Sequence, residues 1–123
     1  MKQRRMARLA EAIREQVAEL IASKLKDPRI GFVTVTRVEL TSDQRLARIL
    51  FGVLGDEAAR KKTLEGLRQA QGFVRRELAQ RLRLRFTPEV VFEFDRDLDA
   101  TDRVARLLAE AQSPSLPPED DED

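Results

Sequence analysis

Three runs with a strand's period of two are set among stretches whose apolar residues recur at helical spacing, and their order along the chain admits few folds. The first is Phe32 to Leu40, rich in β-branched residues, in which Val33 and Val35 have one parity and Val38 and Leu40 the other. A β-bulge near Thr36 or Arg37 would bring both pairs to one face. After the polar turn Thr41-Ser42-Asp43 comes Leu46 to Leu54, with Ala47, Ile49, Phe51 and Val53 alternating. Gly55 ends that run, and Asp56 suits a helix N-cap. Pro88 opens the third, where Val90, Phe92 and Phe94 alternate with Glu89, Val91 and Glu93.

Helices fill the intervals. Leu9, Ile13, Val17, Leu20 and Ile21 mark a helix over residues 4–25, stopped by Lys26-Asp27-Pro28-Arg29 because the residue before a proline avoids the α region. Residues 57–70 read as a second helix with Leu64 and Leu67 inward, and 73–84 as a third with Val74, Leu78 and Leu82 at i, i+4 and i+8. A short helix is expected at 101–111, with Val104, Leu107, Leu108 and Ala111 on one side. Residues 1–111 thus form one domain. Residues 112–123, proline-rich and then five consecutive acids, lack the apolar surface to fold and are expected to be a disordered acidic tail.

The order α-β-β-α-α-β predicts an α+β layer, a three-stranded sheet with helices packed on one face. Two closely joined central helices make it also the order of the type II KH fold, whose GxxG loop clamps nucleic-acid backbone. Here the joint reads Ala70-Gln71-Gly72; the second glycine is present and the four-residue loop is not. A glycine inside a helix costs roughly 1 kcal/mol relative to alanine. Gly72 is therefore expected to allow a kink that aims the next helix's N-terminus at a ligand.

Charge is segregated. Residues 1–88 hold 20 Lys or Arg against 10 Asp or Glu, whereas residues 89–123 hold 3 against 12. The net charge of +1 conceals a basic domain with an acidic tail, a pattern suited to a polyanionic partner. Nine basic and two acidic residues lie between 60 and 85. On a helical wheel Arg76, Gln80 and Arg83 form a ridge, with Arg75 near the joint, while Glu11, Glu15 and Glu19 make an acidic stripe on the first helix that reads as a solvated, ion-paired face.

These segments resemble the ribosome-binding factor A family in Lys26-Asp27-Pro28-Arg29, in Ala70-Gln71-Gly72-Phe73-Val74-Arg75 and in Arg83-Leu84-Arg85-Phe86-Thr87-Pro88-Glu89-Val90, over about residues 4–100. The resemblance implies a KH-like domain that binds 16S rRNA on the free or immature 30S subunit. It further implies a part in late small-subunit maturation, including 16S rRNA 5′-end processing, a role in cold adaptation, and release with the help of a GTPase. RNA contacts are expected at Arg5, Lys26, Arg29, Arg68, Ala70, Gln71, Gly72, Arg75, Arg76, Arg83 and Arg85, with Phe73 packing beside the joint.

Other classes are constrained by what the chain lacks. Without cysteine, histidine, a P-loop or a dinucleotide motif, the main catalytic constellations are missing, and neither enzymatic activity nor a cofactor is expected. Asp95, Asp97, Asp99 and Asp102 imitate the opening of a calcium loop, but Ala100 stands where its glycine is needed and Arg106 where its bidentate glutamate should be, so a turn role is expected and a metal-dependent hydrolase is disfavoured. No run of 18 apolar residues or secretory leader is apparent, so a cytoplasmic monomer without membrane contact is expected. The alternative function is a KH-like protein-interaction module that binds acidic protein partners.

Overall fold

The structure is a computed structural model, and it describes residues 2–96. The elements follow in the order α1 (Lys2–Ser23), β1 (Phe32–Leu40), β2 (Leu46–Leu54), α2 (Glu57–Gln69), α3 (Gln71–Leu82) and β3 (Glu89–Phe94). Both strands of the hairpin have the expected ends; α1 and α3 each begin and end two residues earlier than their apolar periods suggest. The expected helix at 101–111 and the acidic tail lie outside the described residues.

β1 and β2 pair antiparallel, and β3 joins β2 in parallel, giving the order β1-β2-β3. Parallel pairing obliges the chain to cross over the sheet between β2 and β3, and α2 and α3 form that crossover. The bulge falls where the parity change demands it: Val35 faces Phe51, Arg37 faces Leu50, and Thr36 is the extra residue. Val33, Val35, Val38 and Leu40 thereby share the helix-covered side. Thr36 Oγ1 stands within hydrogen-bonding distance of both the Leu50 carbonyl and the Asp95 carboxylate. Asp95 itself is buried, held also by Arg37; its structural partners account for the one member of the aspartate series that is described.

The core lies between the sheet and all three helices. Ile13, Val17 and Leu20 of α1, Leu67 of α2, and Val74 and Leu78 of α3 meet Ala47, Ile49, Phe51, Val90 and Phe92, all at most 3% exposed. Phe51 packs edge-on against Phe92, with ring centroids 6.1 Å apart, and lies tilted against Phe94 at 4.8 Å. The outer face is polar, where Arg48 links Glu93 of β3 (2.7 Å) to Glu39 of β1 (3.5 Å).

α1 and α3 run antiparallel. Arg81 near the end of α3 bonds Gln16 (3.1 Å) and Glu19 in the second half of α1, while Phe73 at the start of α3 lies beside Lys24 and Leu25. The acidic stripe is engaged in this way, with Glu19 on Arg81 and Glu11 on Arg14.

Candidate nucleic-acid interface

The α2–α3 joint is a single residue. Ala70, at φ −87° and ψ −2°, ends α2 and starts α3; its N–H bonds the carbonyls of Gly66 and Leu67, and its own carbonyl accepts the Val74 N–H at 2.9 Å. Gly72 lies in the first turn of α3, and its φ is not positive: among the described glycines only Gly55 has that conformation. The expected role of Gly72 in permitting the kink is therefore corrected, because the bend is made by Ala70 with ordinary right-handed angles. What the missing side chain leaves is space. A Cβ on Gly72 would stand 3.5 Å from a terminal nitrogen of Arg76, so the Arg76 guanidinium lies folded back beside the Gly72 backbone.

Two predicted contact residues hold α3 on the sheet. Gln71 Oε1 accepts the Phe92 N–H at 3.2 Å on the free edge of β3. Arg75 donates to the carbonyls of Pro88 (3.2 Å) and Thr87 (3.0 Å) and pairs with Glu89. These bonds fix where the N-terminus of α3 points.

The turn after α1 forms the facing wall. Asp27 accepts the Arg29 N–H (2.9 Å) and its guanidinium (2.6 Å), and Arg29 donates onward to Gln69 Oε1 of α2 at 2.7 Å. Gly31 N–H bonds the hydroxyl of the fully buried Thr63. Beneath this turn Gly66 admits Ile30 so closely that a Cβ there would be 2.7 Å from Ile30 Cγ1. Hydrogen bonds from the Arg29 guanidinium, and then from the Arg29 N–H, hold the Asp27 carboxyl down at about 2. That contribution to the turn is complete above the ordinary aspartate value near 4 and is lost as pH falls through about 2. An NMR titration should find the Asp27 midpoint near 2, and the Arg29→Gln variant should return it to the usual aspartate range.

Between the turn and the joint lies a groove of about 310 Å³, with Lys24 and Lys26 on one side and Gln69, Ala70 and Phe73 on the other. Its positive charge is only partly offset, by Glu19 near Lys24, a carboxylate that is itself bonded to Arg81. Asp27 is consumed by Arg29, whereas Lys24, Lys26 and Arg76 make no ion pair among the described residues. α2 obeys the helix dipole, with Asp56 capping the Ala59 N–H, Glu57 in its first turn and Arg68 in its last. α3 does the reverse, having no side-chain cap and no acid in its first turn. The N–H groups of Gln71, Gly72 and Phe73 precede its first internal bond, so the start of α3, where Ala70 and Phe73 line the groove, offers donors and positive potential.

The predicted set is thus divided. Lys26 and Ala70 line the groove, Gly72 and Arg76 lie beside each other in α3, and Arg29, Gln71 and Arg75 are spent on bonds to Asp27 and Gln69, to Phe92, and to Thr87 and Pro88. Arg68 faces β3: Glu93 is held below the ordinary carboxylate range first by its bond from Arg48, and more weakly by Arg96 and Arg68. Arg5 lies 19 residues before Lys24, a separation of roughly 28 Å along a helix. Arg83 is not on a helical ridge; it caps α3 in the left-handed region, at φ 49° and ψ 47°, and Arg85 is exposed on the loop that follows. Thr63, Gly66 and Gln69 were not among the expected site residues. Gly66 offered the same signal as Gly72, a glycine within a helical period, but only the packing shows which one a neighbour requires. Phe73 is half-buried against the core beside the joint, as expected.

Comparison with known proteins agrees with this architecture. The family model described as Ribosome-binding factor A matches residues 5–108. The chain is 46% identical over 109 residues to ribosome-binding factor A of Heliobacterium modesticaldum, covering 89% of this chain and 90% of that one. The crystal structure of ribosome-binding factor A from Thermus thermophilus is similar with a TM-score of 0.64 at 28% identity, over 72% of this chain and 93% of that one. A homology model of the Thermus thermophilus factor, fitted into a cryo-EM map of its complex with the 30S subunit, is similar with a TM-score of 0.62 at 28% identity, over 74% and 96% of the two chains.

Proposed function

The chain belongs to the ribosome-binding factor A family, and from that membership we propose that it binds 16S rRNA on the free or immature 30S subunit and assists late maturation without covalent chemistry. The observation that carries the reading is the groove at the α2–α3 joint, where Lys24 and Lys26 stand across from the start of α3, a helix with no side-chain cap and no acid in its first turn. Such a site suits a phosphate backbone approaching a helix N-terminus. Exposed base-stacking rings are absent from the groove: its aromatic residue, Phe73, is committed to the core. Recognition then rests on phosphates, 2′-hydroxyls and shape, so the rRNA's own fold supplies most of the selectivity.

The same reading includes 16S rRNA 5′-end processing, cold adaptation, release aided by a GTPase, and action as a cytoplasmic monomer. A factor that holds an RNA conformation by backbone contacts supports maturation by keeping competing pairings apart, a need that grows as cold stabilises misfolded RNA.

Co-sedimentation tests the proposal. The purified protein should pellet with free 30S subunits and much less with complete ribosomes. With about four phosphate contacts, raising salt from about 50 to 200 mM should weaken binding roughly 50- to 150-fold. Equal pelleting with both particles, or binding indifferent to salt, would count against a phosphate-led site on the immature subunit.

A further inference from the structure

We infer that Phe86 is a stacking platform for one unpaired nucleobase, a second RNA contact apart from the groove; the inference rests on the reading that this chain binds RNA. Three large apolar side chains stand mostly in water among the described residues, Phe32 at 78%, Leu54 at 80% and Phe86 at 78% exposure. Phe32 and Leu54 are partners across the β1–β2 hairpin, and Asp56 and Glu57 follow Leu54 within three residues, a setting that disfavours a polyanion. Phe86 has the opposite setting. It follows Arg83 and Arg85 in the loop between α3 and β3, both exposed and neither in an ion pair or side-chain hydrogen bond among the described residues. The nearest acid in sequence, Glu89, is paired with Arg75 at 3.5 Å.

The backbone under the ring is fixed from both sides. Arg83 ends α3 in the left-handed region, and half-buried Leu84 follows it. Beyond Phe86, Arg75 donates to the Thr87 and Pro88 carbonyls, Pro88 is fully buried, and the Glu89 N–H bonds the Arg45 carbonyl at 2.7 Å. Residues 87–89 are thus pinned while the phenyl ring stays outside. A ring held this way loses little freedom when a base is laid on it.

A phenyl ring has no polar atom, so what it offers a nucleic acid is a flat apolar face, which any base matches with its own. Arg83 and Arg85 draw a strand to the ring; exposed to screening salt and without helix N–H donors, they hold it less tightly than the stack does. Phe73 at the groove and Arg83 are ten residues apart, roughly 15 Å along a helix. That is about four nucleotides at stacked spacing, so one strand reaches both contacts. The concavity on the outer sheet face is a weaker candidate, because Glu39 and Glu93 line it beside Arg37, Arg48 and Arg96, and Arg48 bonds both acids.

The test uses the full-length chain, which has no tryptophan of its own. Phe86→Trp keeps a flat ring and adds a fluorophore, and oligouridylate raised to millimolar nucleotide should quench it by stacking. Phe86→Ala should weaken binding to free 30S subunits about fivefold or more, Phe86→Leu nearly as much, and Phe86→Trp not at all. Because a stack carries no charge, the ratio between the parent and Phe86→Ala should hold from about 50 to 200 mM salt. All three variants should melt within a few degrees of the parent, the side chain being exposed. An unquenched tryptophan, or a Phe86→Ala chain that binds like the parent, overturns the inference and leaves the RNA reading intact. A Phe86→Leu chain that binds like the parent overturns it too, since an apolar contact with a protein needs no flat ring. Failure of the parent itself to bind free 30S subunits would remove the RNA reading, and this inference with it.

Discussion

Replacing Lys24, Lys26 and Arg76 together by Glu should lower the affinity for free 30S subunits by about a thousandfold. Each charge-assisted contact to a phosphate is worth about 1.5 kcal/mol or more, and three such losses multiply. The fold should scarcely notice, since these side chains make no ion pair among the described residues. Lys24→Glu sets a negative charge near the C-terminal end of α1, costing up to about 1 kcal/mol, and Arg76→Glu near the start of α3 offsets it with the opposite sign of the same effect. A melting curve like that of the parent beside abolished co-sedimentation is the expected pair of results. The parallel triple Arg5, Arg83 and Arg85→Glu should cost less than about tenfold, because those residues lie away from the groove and lack its helix N–H donors. Equal losses from the two triples would mean that binding follows overall charge and not the joint.

The second large effect concerns the two helical glycines, and it runs opposite to what their sequence positions suggest. Gly66→Val should destabilise the domain by about 2–3 kcal/mol, overpacking against Ile30 outweighing the gain in helix propensity. The first added carbon alone would stand 2.7 Å from Ile30 Cγ1 and 3.4 Å from the Asp27 carboxylate. For a domain of this size each kcal/mol is worth about 4–8 °C in melting temperature. Ile30→Ala in the same chain should recover part of the loss, a coupling of about 1 kcal/mol between touching sites. Gly72→Ala should leave the melting temperature unchanged or slightly raised, because the site is helical, exposed and open to a Cβ, yet weaken 30S binding several-fold if RNA backbone approaches there. A Gly72→Ala chain that melts far lower would restore the conformational role that the backbone angles deny it.

Much of the architecture was legible from local pattern. Period two placed both strands of the hairpin to the residue, the parity change put the bulge near Thr36 or Arg37, and Asp56 capped α2 as its position suggested. Such features are decided by neighbours in the chain, where alternation and capping act within a few residues. The family resemblance was equally local, carried by three short segments. Helix ends were less legible: α1 stops at Ser23, whose hydroxyl turns back to the Glu19 carbonyl, two residues before its apolar period runs out.

The division of labour among the arginines was not legible. Arg29, Arg75, Arg76 and Arg83 look alike in sequence, all basic and near a joint or turn. One is spent on Asp27 and Gln69, one on the carbonyls of Thr87 and Pro88, one lies beside Gly72 with no carboxylate among the described residues, and one caps a helix in the left-handed region. Partners as far as 40 residues away decide this, and no helical wheel contains them. The sequence by itself determined the elements, their order and the basic character of the domain, because periodicity and charge are properties of the chain. Only the tertiary structure decided which glycine is sterically required and which cations remain available to a phosphate, because both depend on what the fold brings within a few ångströms.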